Sequence, residues 1–460
     1  MARFTLDEVV QATGGRLVYD VPDRTFSQAE TDTRAISQGA LFVALKGERF
    51  NGHDYVLKAR EQGALGAVVS EDRPEYNVPG FAVFLVANTE TAYQDLARFH
   101  RRRFAIPIVA VTGSVGKTST RSIIAAVLSQ RYHVLQTEKN FNNEIGLPRT
   151  LLQLTPEHEV CVVEMGMRGL GQIAELAAIA EPTIGVVTNV GKSHIELLGS
   201  QENIAKAKSE LVEALPENGA AILNQDDPYV AAMADLCRGK VVGYGVTSNA
   251  AIRASRITCN EKGIRFACRC FDQVLDIHMP VIGRHNVYNA LAAIAVGRLL
   301  GLSEHQLAKG LAEYRGMPMR QELVRCGDYT FINDAYNANP ASMSEALRSL
   351  MLLTKGRKIA VLGGMLELGE WAQKEHEAIG AEAADLGIDI LITLGDLAAS
   401  IASAARAKGL TAVYTTATHA EAAARLQELL QPGDTILLKG SRGFAMEKIL
   451  PYFERTRTRT

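Results

Sequence analysis

Residues 108–120 combine the features of a phosphate-binding loop. The β-branched run 108–111 stops shortly before Gly113 and an amphipathic segment follows, so the sequence predicts a strand, a tight loop and the start of a helix. Amide groups at a helix start are expected to be unpaired, and the helix dipole favours an anion there. Lys117 would add a charge for the β- and γ-phosphates of a nucleotide, and the Thr118 hydroxyl suits a Mg²⁺ ligand. The residues therefore predict a nucleoside triphosphate site.

The loop is shorter than the common phosphate-binding loop. The common form has its first glycine six residues before the lysine, where this chain has Val111. The glycine is instead Gly113, four residues before Lys117. The expected nucleotide-binding residues of this loop are Gly113, Ser114, Val115, Gly116, Lys117, Thr118 and Ser119.

Three further side chains are candidates for metal chemistry beside this loop. Glu164 ends a second predicted strand, where a carboxylate could bind Mg²⁺ or simply be solvated. His194 ends a loop after a third strand, and it could either face the crevice into which the phosphate-binding loop opens or be a helix cap. Lys208 lies on a predicted helix, where most lysines are only solvated. An ammonium repels Mg²⁺, so a lysine at a metal needs to lose its charge, as in a carbamate.

Polar residues at the starts of later elements are candidates for nucleoside and substrate binding. Asn286 and Asn289 share one face of an apolar helix and could read a base edge, whereas capping by Asn286 explains only one of them. Asp334 follows a predicted strand and either accepts ribose hydroxyls or forms an Asx-turn. The end of the last strand carries side chains that either clamp a carboxylate or phosphate or are solvated. They are Lys439, Ser441 and Arg442.

Three α/β units are expected to position these residues. Residues 1–86 form a small mixed α/β unit, and residues 87–314 alternate apolar strands with helices, which predicts a mostly parallel sheet. Within that unit, 241–279 shows the alternation of antiparallel strands, and 315–460 repeats a Rossmann-like βα pattern. Residues 455–460 are expected to be a frayed tail. The predicted strands are 40–45, 66–70, 108–111, 160–163, 184–188, 220–223, 330–333, 359–362, 390–394, 412–414 and 435–438.

The composition is that of an ordinary globular protein. The chain has 460 residues, of which 47% are hydrophobic and 22% charged, and this length implies more than one domain. A net charge of −2 gives no electrostatic reason to expect nucleic acid or an anionic membrane as a partner. We expect no signal peptide and no membrane span, and the six scattered cysteines suit reduced thiols. A cytoplasmic monomer is the expectation.

Together these stretches resemble the Mur ligase family, the ATP-dependent amide ligases of peptidoglycan precursor synthesis. The short loop is similar to that family's form of the phosphate site. Further motifs of the family occur in the same order along all three units. They are Asp-Thr-Arg at 32–34, and the stretches 140–148, 334–340, 365–369 and 439–442.

The resemblance implies three domains and a two-step reaction. The first domain would bind a nucleotide sugar, the central domain would use ATP with Mg²⁺, and the third domain would bind the incoming amine. The motifs are most similar to those of the members that join D-alanyl-D-alanine to UDP-N-acetylmuramoyl-tripeptide through an acyl phosphate. A sibling that adds the third residue of the stem peptide is the alternative within the family, and folylpolyglutamate synthetase shares the central core but not the first domain. A P-loop regulatory NTPase is the alternative from another class.

The resemblance also implies individual roles near the phosphates. Lys117 would neutralise charge developing on the phosphates, and Thr118 with Glu164 would hold one Mg²⁺. His194 matches the family's histidine at a second metal, and Lys208 matches its carbamylated lysine.

Further roles concern the rest of ATP and the other substrates. Asn286 would contact adenine together with Asn289, Asp334 would contact the ribose, and Arg320 would reach the γ-phosphate from the third domain. The expected binding residues for the other substrates are Thr33, Arg34, Asn142, Asn143, Tyr336, Asn337, Lys439, Ser441 and Arg442.

Two positions depart from the family's usual pattern. Met319 precedes Arg320, where the family usually has glycine. Gly364 stands where the dipeptide-adding members usually have aspartate, which leaves open the contact that this aspartate would make.

Overall fold

The computed structural model describes residues 2–19, 22 and 24–454, so the expectation for the tail 455–460 lies outside the described residues. Three large sheets organise this part of the chain, and helices cover their faces. Within the same residues, no helix combines the length and the apolar character needed to cross a membrane.

The first unit is built on a five-stranded sheet with the order β2-β7-β6-β5-β4. Only β2 pairs antiparallel in it, and β1 with β3 forms a separate antiparallel pair. The strands are β1 Phe4–Thr5, β2 Arg16–Leu17, β3 Thr25–Phe26, β4 Ala29–Glu30, β5 Leu41–Val43, β6 Gly66–Val69 and β7 Ala82–Leu85. The helices are α1 Leu6–Thr13, α2 Val56–Glu61 and α3 Thr89–Arg101.

The central unit contains a nine-stranded sheet with the order β16-β15-β14-β13-β12-β11-β8-β10-β9. The strands are β8 Ile108–Thr112, β9 Val134–Gln136, β10 Val160–Glu164, β11 Ile184–Val187, β12 Ala220–Asn224, β13 Lys240–Gly245, β14 Ile252–Asn260, β15 Gly263–Cys270 and β16 Gln273–Met279. The helices are α4 Lys117–Leu128, α5 Gly146–Leu151, α6 Gln172–Ala180, α7 Ile195–Leu198, α8 Gln201–Glu213, α9 Pro228–Ala232, α10 His285–Leu299 and α11 Glu304–Glu313.

The pairing in this sheet confirms the predicted parallel core. Strand β8 pairs parallel with β10 and β11, and all five of its residues are buried, as expected of a strand covered on both faces. The antiparallel strands expected within 241–279 are β14, β15 and β16. Strand β13 lies at the start of this stretch and differs from the expectation, since it pairs parallel with both β12 and β14.

The third unit contains a six-stranded sheet with the order β17-β18-β22-β19-β20-β21, parallel except for β17. The strands are β17 Glu322–Cys326, β18 Tyr329–Asp334, β19 Lys358–Gly363, β20 Ile390–Leu394, β21 Val413–Thr416 and β22 Thr435–Lys439. The helices are α12 Pro340–Leu353, α13 Ala372–Asp385, α14 Ala399–Ala407, α15 His419–Leu429 and α16 Pro451–Glu454. Short 3₁₀ helices span Thr33–Ala35, Gly52–Tyr55, Pro74–Tyr76, Met233–Leu236, Gly369–Trp371, Asp396–Ala398, Arg442–Phe444 and Met446–Ile449.

Candidate active site

A large cleft lies between the central and third units. Its volume is about 1330 Å³, and the ends of β8 and β10 open into it from the central sheet, while the end of β18 opens into it from the third. Ligands of parallel α/β sheets bind at such carboxyl ends. The predicted site residues that line the cleft are Ser114, Val115, Gly116, Lys117, Thr118, Ser119, Asn142, Asn143, Glu164, His194, Asn286, Arg320, Asp334, Tyr336, Asn337 and Lys439.

The phosphate loop requires glycine at Gly113. Its φ is 148°, and a Cβ there would lie 1.9 Å from Oγ1 of Thr188. Gly116 is the N-cap residue of α4 and supplies no side-chain hydrogen bond to the helix. In the loop before the helix, Ser114 N donates to the carbonyl of Asn189 (2.9 Å) and Val115 N to its Oδ1 (2.9 Å), so these two amides are already paired.

Lys117 and Thr118 lie where the two units meet. Lys117 Nζ donates to the carbonyl oxygen of Gly113 at 2.8 Å. Burial lowers the pKa of Lys117, the nearby charge of Glu164 raises it, and Arg320 lowers it further. Thr118 Oγ1 donates to Glu164 Oε1 (3.3 Å) and accepts from Arg320 Nη2 (3.0 Å). An arginine of the third unit therefore reaches the phosphate loop.

Glu164 has one buried carboxylate oxygen that accepts no hydrogen bond. The residue is 1% exposed, and its Oε1 also accepts from Nδ2 of Asn142 at 2.8 Å. Its Oε2 is buried and accepts no hydrogen bond, although Arg121 Nε lies 3.7 Å away. A buried carboxylate oxygen without a donor suits a cation as its partner. Arg121 was not a candidate from the sequence, and its position one helical turn after Lys117 on α4 is the signal that could have found it.

His194 and Lys208 lie beside this group. His194 has a φ of 63°, and its Nδ1 is 2.7 Å from Oε2 of Glu367, without hydrogen-bond geometry. Burial lowers the pKa of His194 and Glu367 opposes that shift, whereas Lys117 and Lys208 add to it. Lys208 is 2% exposed, and burial together with the charge of Lys117 brings its pKa far below the usual value. Among the described residues, no three His, Cys, Asp or Glu side chains gather as a metal site on their own.

The two asparagines of α10 bond to each other. Asn289 Nδ2 donates to Asn286 Oδ1 (2.8 Å), and Asn289 Oδ1 accepts from Oγ1 of Thr120 (2.9 Å). Asn286 Nδ2 donates to the carbonyl of Ile282 at 2.7 Å, so neither amide caps the helix, which begins after Arg284. Asn286 lines the cleft, whereas Asn289 is 6% exposed and braces α10 against α4.

Asp334 and Lys439 form a buried ion pair at the end of β18 and β22. Lys439 Nζ is 2.6 Å from Oδ2 of Asp334 and donates to the carbonyl of Asn337 at 3.1 Å. Asp334 Oδ1 also accepts from the backbone amide of Gln321 at 3.3 Å. The sequence treated Asp334 and Lys439 as contacts to different substrates, but the structure joins them, since β18 and β22 are neighbours in the sheet.

The other predicted substrate residues are distributed over three places. Arg34 is bonded to Asp32 and its side chain is 87% exposed, so Thr33 and Arg34 lie in the first unit, outside the cleft lining. Ser441 is buried and bonded to backbone, donating to the carbonyl of Ala338 and accepting from the amide of Leu366. Arg442 pairs with Glu447 at 2.6 Å. Neither Ser441 nor Arg442 lines the cleft, whereas Lys439 does.

Arg320 lies between two residues with left-handed backbone conformation. Met319 and Gln321 both have positive φ, 57° and 53°, which places side chains in a conformation that glycine adopts more easily. The guanidinium carbon of Arg320 lies 4.0 Å from the ring centroid of Tyr336. Glycine would adopt the conformation of Met319 with less strain.

Gly364 follows β19 and lies against two apolar side chains. A Cβ at this position would lie 2.8 Å from Cβ of Leu397 and 2.8 Å from Cζ of Phe444. Aspartate therefore does not fit here without movement of the Phe444 ring, which fills the space that a side chain would need.

Comparison with known proteins agrees with this architecture. Three family models match consecutive parts of the chain: "Mur ligase family, catalytic domain" over residues 25–101, "Mur ligase middle domain" over 111–297 and "Mur ligase, glutamate ligase domain" over 319–442. The chain belongs to the Mur ligase family. The predicted α/β class with three domains is thereby confirmed.

Individual relatives are more specific. A protein of Synechocystis named UDP-N-acetylmuramoyl-tripeptide–D-alanyl-D-alanine ligase is 40% identical over 424 residues, covering 91% of this chain and 90% of that protein. The crystal structure of MurF from Acinetobacter baumannii matches with a TM-score of 0.92 and 30% identity over 99% of each chain. MurF from Thermotoga maritima in complex with ADP matches with a TM-score of 0.85 and 27% identity, covering 93% of this chain and 97% of that one.

Proposed function

We propose that this protein is an ATP-dependent ligase that joins D-alanyl-D-alanine to UDP-N-acetylmuramoyl-tripeptide and so makes the pentapeptide precursor of peptidoglycan. Relatives of nearly full length carry this activity in their names. The observation that supports it within the fold is the contact of Arg320 with Thr118, because an amide ligase needs the acceptor-binding unit next to the phosphate that it transfers. A P-loop switch protein has no need of an acceptor-binding unit that closes over ATP.

The first step is activation of a carboxylate. A terminal oxygen of the tripeptide attacks the γ-phosphorus of ATP, the bond to the β–γ bridging oxygen breaks, and ADP leaves behind an acyl phosphate. Lys117 and Arg320 offset the negative charge that builds up on the transferred phosphate. The uncapped amides at the start of α4 add to this effect.

The second step forms the amide. The amine nitrogen of D-alanyl-D-alanine attacks the acyl carbon through a tetrahedral intermediate. The carbon–oxygen bond to phosphate then breaks, inorganic phosphate leaves and the nitrogen loses a proton. Tyr336 and Asn337 line the third unit's side of the cleft, so we assign them to the acceptor's position.

The cleft also has residues that fit Mg²⁺. Thr118 Oγ1 and Oε2 of Glu164, which accepts no hydrogen bond, would hold one ion, which would screen the charge between the β- and γ-phosphates. His194 with a carbamylated Lys208 would hold a second one. The strongly lowered pKa of Lys208 supports this, because only a neutral amine adds to carbon dioxide.

The remaining assignments divide the ligands among the units. We assign residues 1–86 to the UDP-muramoyl nucleotide, with Thr33 and Arg34 near the uridine part, and Asn142 and Asn143 to its peptide-bearing end, because these two line the cleft. Residues 87–314 bind ATP and residues 315–460 bind the acceptor. Asn286 would contact adenine and Asp334 the ribose.

We further assign Lys439 to holding Asp334, Ser441 to holding the backbone near 338 and 366, and Arg442 to the rim of the third unit. Asn289 supports Asn286 from behind. A cytoplasmic monomer fits a precursor ligase of this kind.

Purified protein tests the proposal with three substrates. The expected result is phosphate release that requires ATP, UDP-N-acetylmuramoyl-tripeptide and D-alanyl-D-alanine together, with the pentapeptide as product. If the protein instead joins a single amino acid to a UDP-muramoyl-dipeptide equally well, it is the sibling that adds the third residue. Phosphate release without any amide product favours a regulatory NTPase.

A further inference from the structure

The loop 189–194 contacts the phosphate loop on one side and the third unit on the other, and we call it the bridging loop. On the phosphate side, the carbonyl and the side chain of Asn189 accept from the amides of Ser114 and Val115. Asn189 Nδ2 donates back to the carbonyl of Val115 at 2.9 Å, and Gly191 N donates to Ser114 Oγ at 2.9 Å. These bonds fix the first half of the phosphate loop.

On the other side, Lys192 reaches the third unit. Its Nζ is 2.6 Å from Oε1 of Glu375 on α13 and 5.6 Å from the ring centroid of Trp371. The Glu375 side chain is 11% exposed and the Lys192 side chain 41%. Water screens such a half-buried pair less than a surface pair, so the contact favours the arrangement in which the two units are seated together.

Ser193 joins the two sides through one oxygen atom. Its Oγ donates to the carbonyl of Ser114 at 3.3 Å and accepts from Nδ2 of Asn339 at 2.8 Å. Asn339 is the N-cap residue of α12, and its Oδ1 accepts from the amide of Ser342 at 2.9 Å. A single hydroxyl therefore connects the phosphate loop to the first turn of a third-unit helix.

We propose that the bridging loop couples nucleotide binding to the seating of the third unit, with Lys192 and Ser193 as positioning residues. The inference rests on the proposed function only in taking ATP as the ligand of the phosphate loop. A nucleotide that fixes Ser114 favours the position in which Ser193 also bonds to Asn339. By linkage, seating of the third unit tightens nucleotide binding by the same factor.

The only tryptophan of the chain, Trp371, lies at this interface and reports on it. A non-hydrolysable ATP analogue, AMP-PNP with Mg²⁺, is titrated into the whole protein while tryptophan emission and the heat of binding are recorded. We expect a nucleotide-dependent emission change in the wild type. Lys192→Met and Ser193→Ala should each reduce that change and raise the AMP-PNP Kd about fivefold, the lower end of typical coupling between sites.

Lys374→Met is the matched control. Lys374 Nζ also lies 5.6 Å from the Trp371 ring, but it belongs to the same unit, so this variant should keep the nucleotide-dependent change. A charge exchange, Lys192→Glu with Glu375→Lys, should recover most of the affinity that Lys192→Glu alone loses.

The coupling is refuted if Lys192→Met and Ser193→Ala bind AMP-PNP like the wild type and show its full emission change, or if the charge exchange restores nothing. If the wild type itself does not bind AMP-PNP, both the ATP site and the coupling are refuted. Binding without an effect of the variants refutes the coupling alone.

Discussion

The buried pair between Lys439 and Asp334 offers a test of what holds the floor of the cleft together. Lys439 is 2% exposed and the Asp334 side chain 11%, and their charged atoms are 2.6 Å apart. In Lys439→Met the aspartate would lose this partner while most of it stays away from water. Removal of one member of a buried pair typically costs about 3–5 kcal/mol. We expect about 3 kcal/mol, because the cleft gives Asp334 some access to water.

The double variant separates pairing from burial. Lys439→Met with Asp334→Asn leaves no uncompensated charge, so its loss in the free energy of unfolding should be smaller than the sum of the two single losses. Urea unfolding followed by Trp371 emission measures this in the third unit, where that residue lies. Lys448→Met, the same substitution at an exposed lysine, is the control and should change little.

Additive single losses, or wild-type stability of Lys439→Met, would refute this reasoning. If Lys439 instead clamps the carboxylate of the acceptor, stability stays nearly unchanged and the KM for D-alanyl-D-alanine rises. The two roles of Lys439 are therefore distinguishable on one set of proteins.

Three further outcomes follow from the site. Lys117→Ala should abolish turnover but leave binding of the UDP-muramoyl nucleotide nearly intact, and equal loss of both in a binding titration would contradict the division of ligands between units. Lys208→Ala should lose activity and regain part of it with short carboxylic acids, whereas an unmodified Lys208 in a crystal of the Mg²⁺–ATP complex would count against a carbamate. Burial lowers the pKa of Lys439 while Asp334 raises it. As pH rises toward 10.5, Lys439 therefore binds its proton less in the folded state than in the unfolded state, so the free energy of unfolding rises over that range. Asp334→Asn removes the charge that raises this pKa, so the urea midpoint of the variant should rise with pH more steeply than that of the wild type. An equal slope for the two proteins would oppose this.

Features that depend on neighbouring residues could be predicted from the sequence. The turn at Gly113 follows from a strand, a glycine and a helix start within a few residues, and β8 and α4 appear there. Glu164 could be placed at the cleft because carboxyl ends of parallel strands share one edge of a sheet. Both predictions used the local sequence pattern, and the second also used the rule that carboxyl ends of parallel strands share one edge of a sheet.

Features that depend on distant pairings could not be predicted. Lys439 and Asp334 are 105 residues apart, and only the strand order brings them together. Asn289 looked like a base contact because it is polar on an apolar helix, yet it bonds to Thr120, 169 residues earlier. The bridging loop depends on how two units meet, for which hydrophobic periodicity carries no signal.

In the proposed reaction, ATP phosphorylates a carboxylate and so activates it for attack by a dipeptide amine. Transfer of an oxygen isotope measures this activation: UDP-N-acetylmuramoyl-tripeptide labelled with ¹⁸O in its terminal carboxylate is incubated with ATP and D-alanyl-D-alanine. We expect one ¹⁸O atom in the released phosphate for each pentapeptide formed, because that oxygen bridges carbon and phosphorus in the acyl phosphate. Unlabelled phosphate alongside the pentapeptide would contradict it.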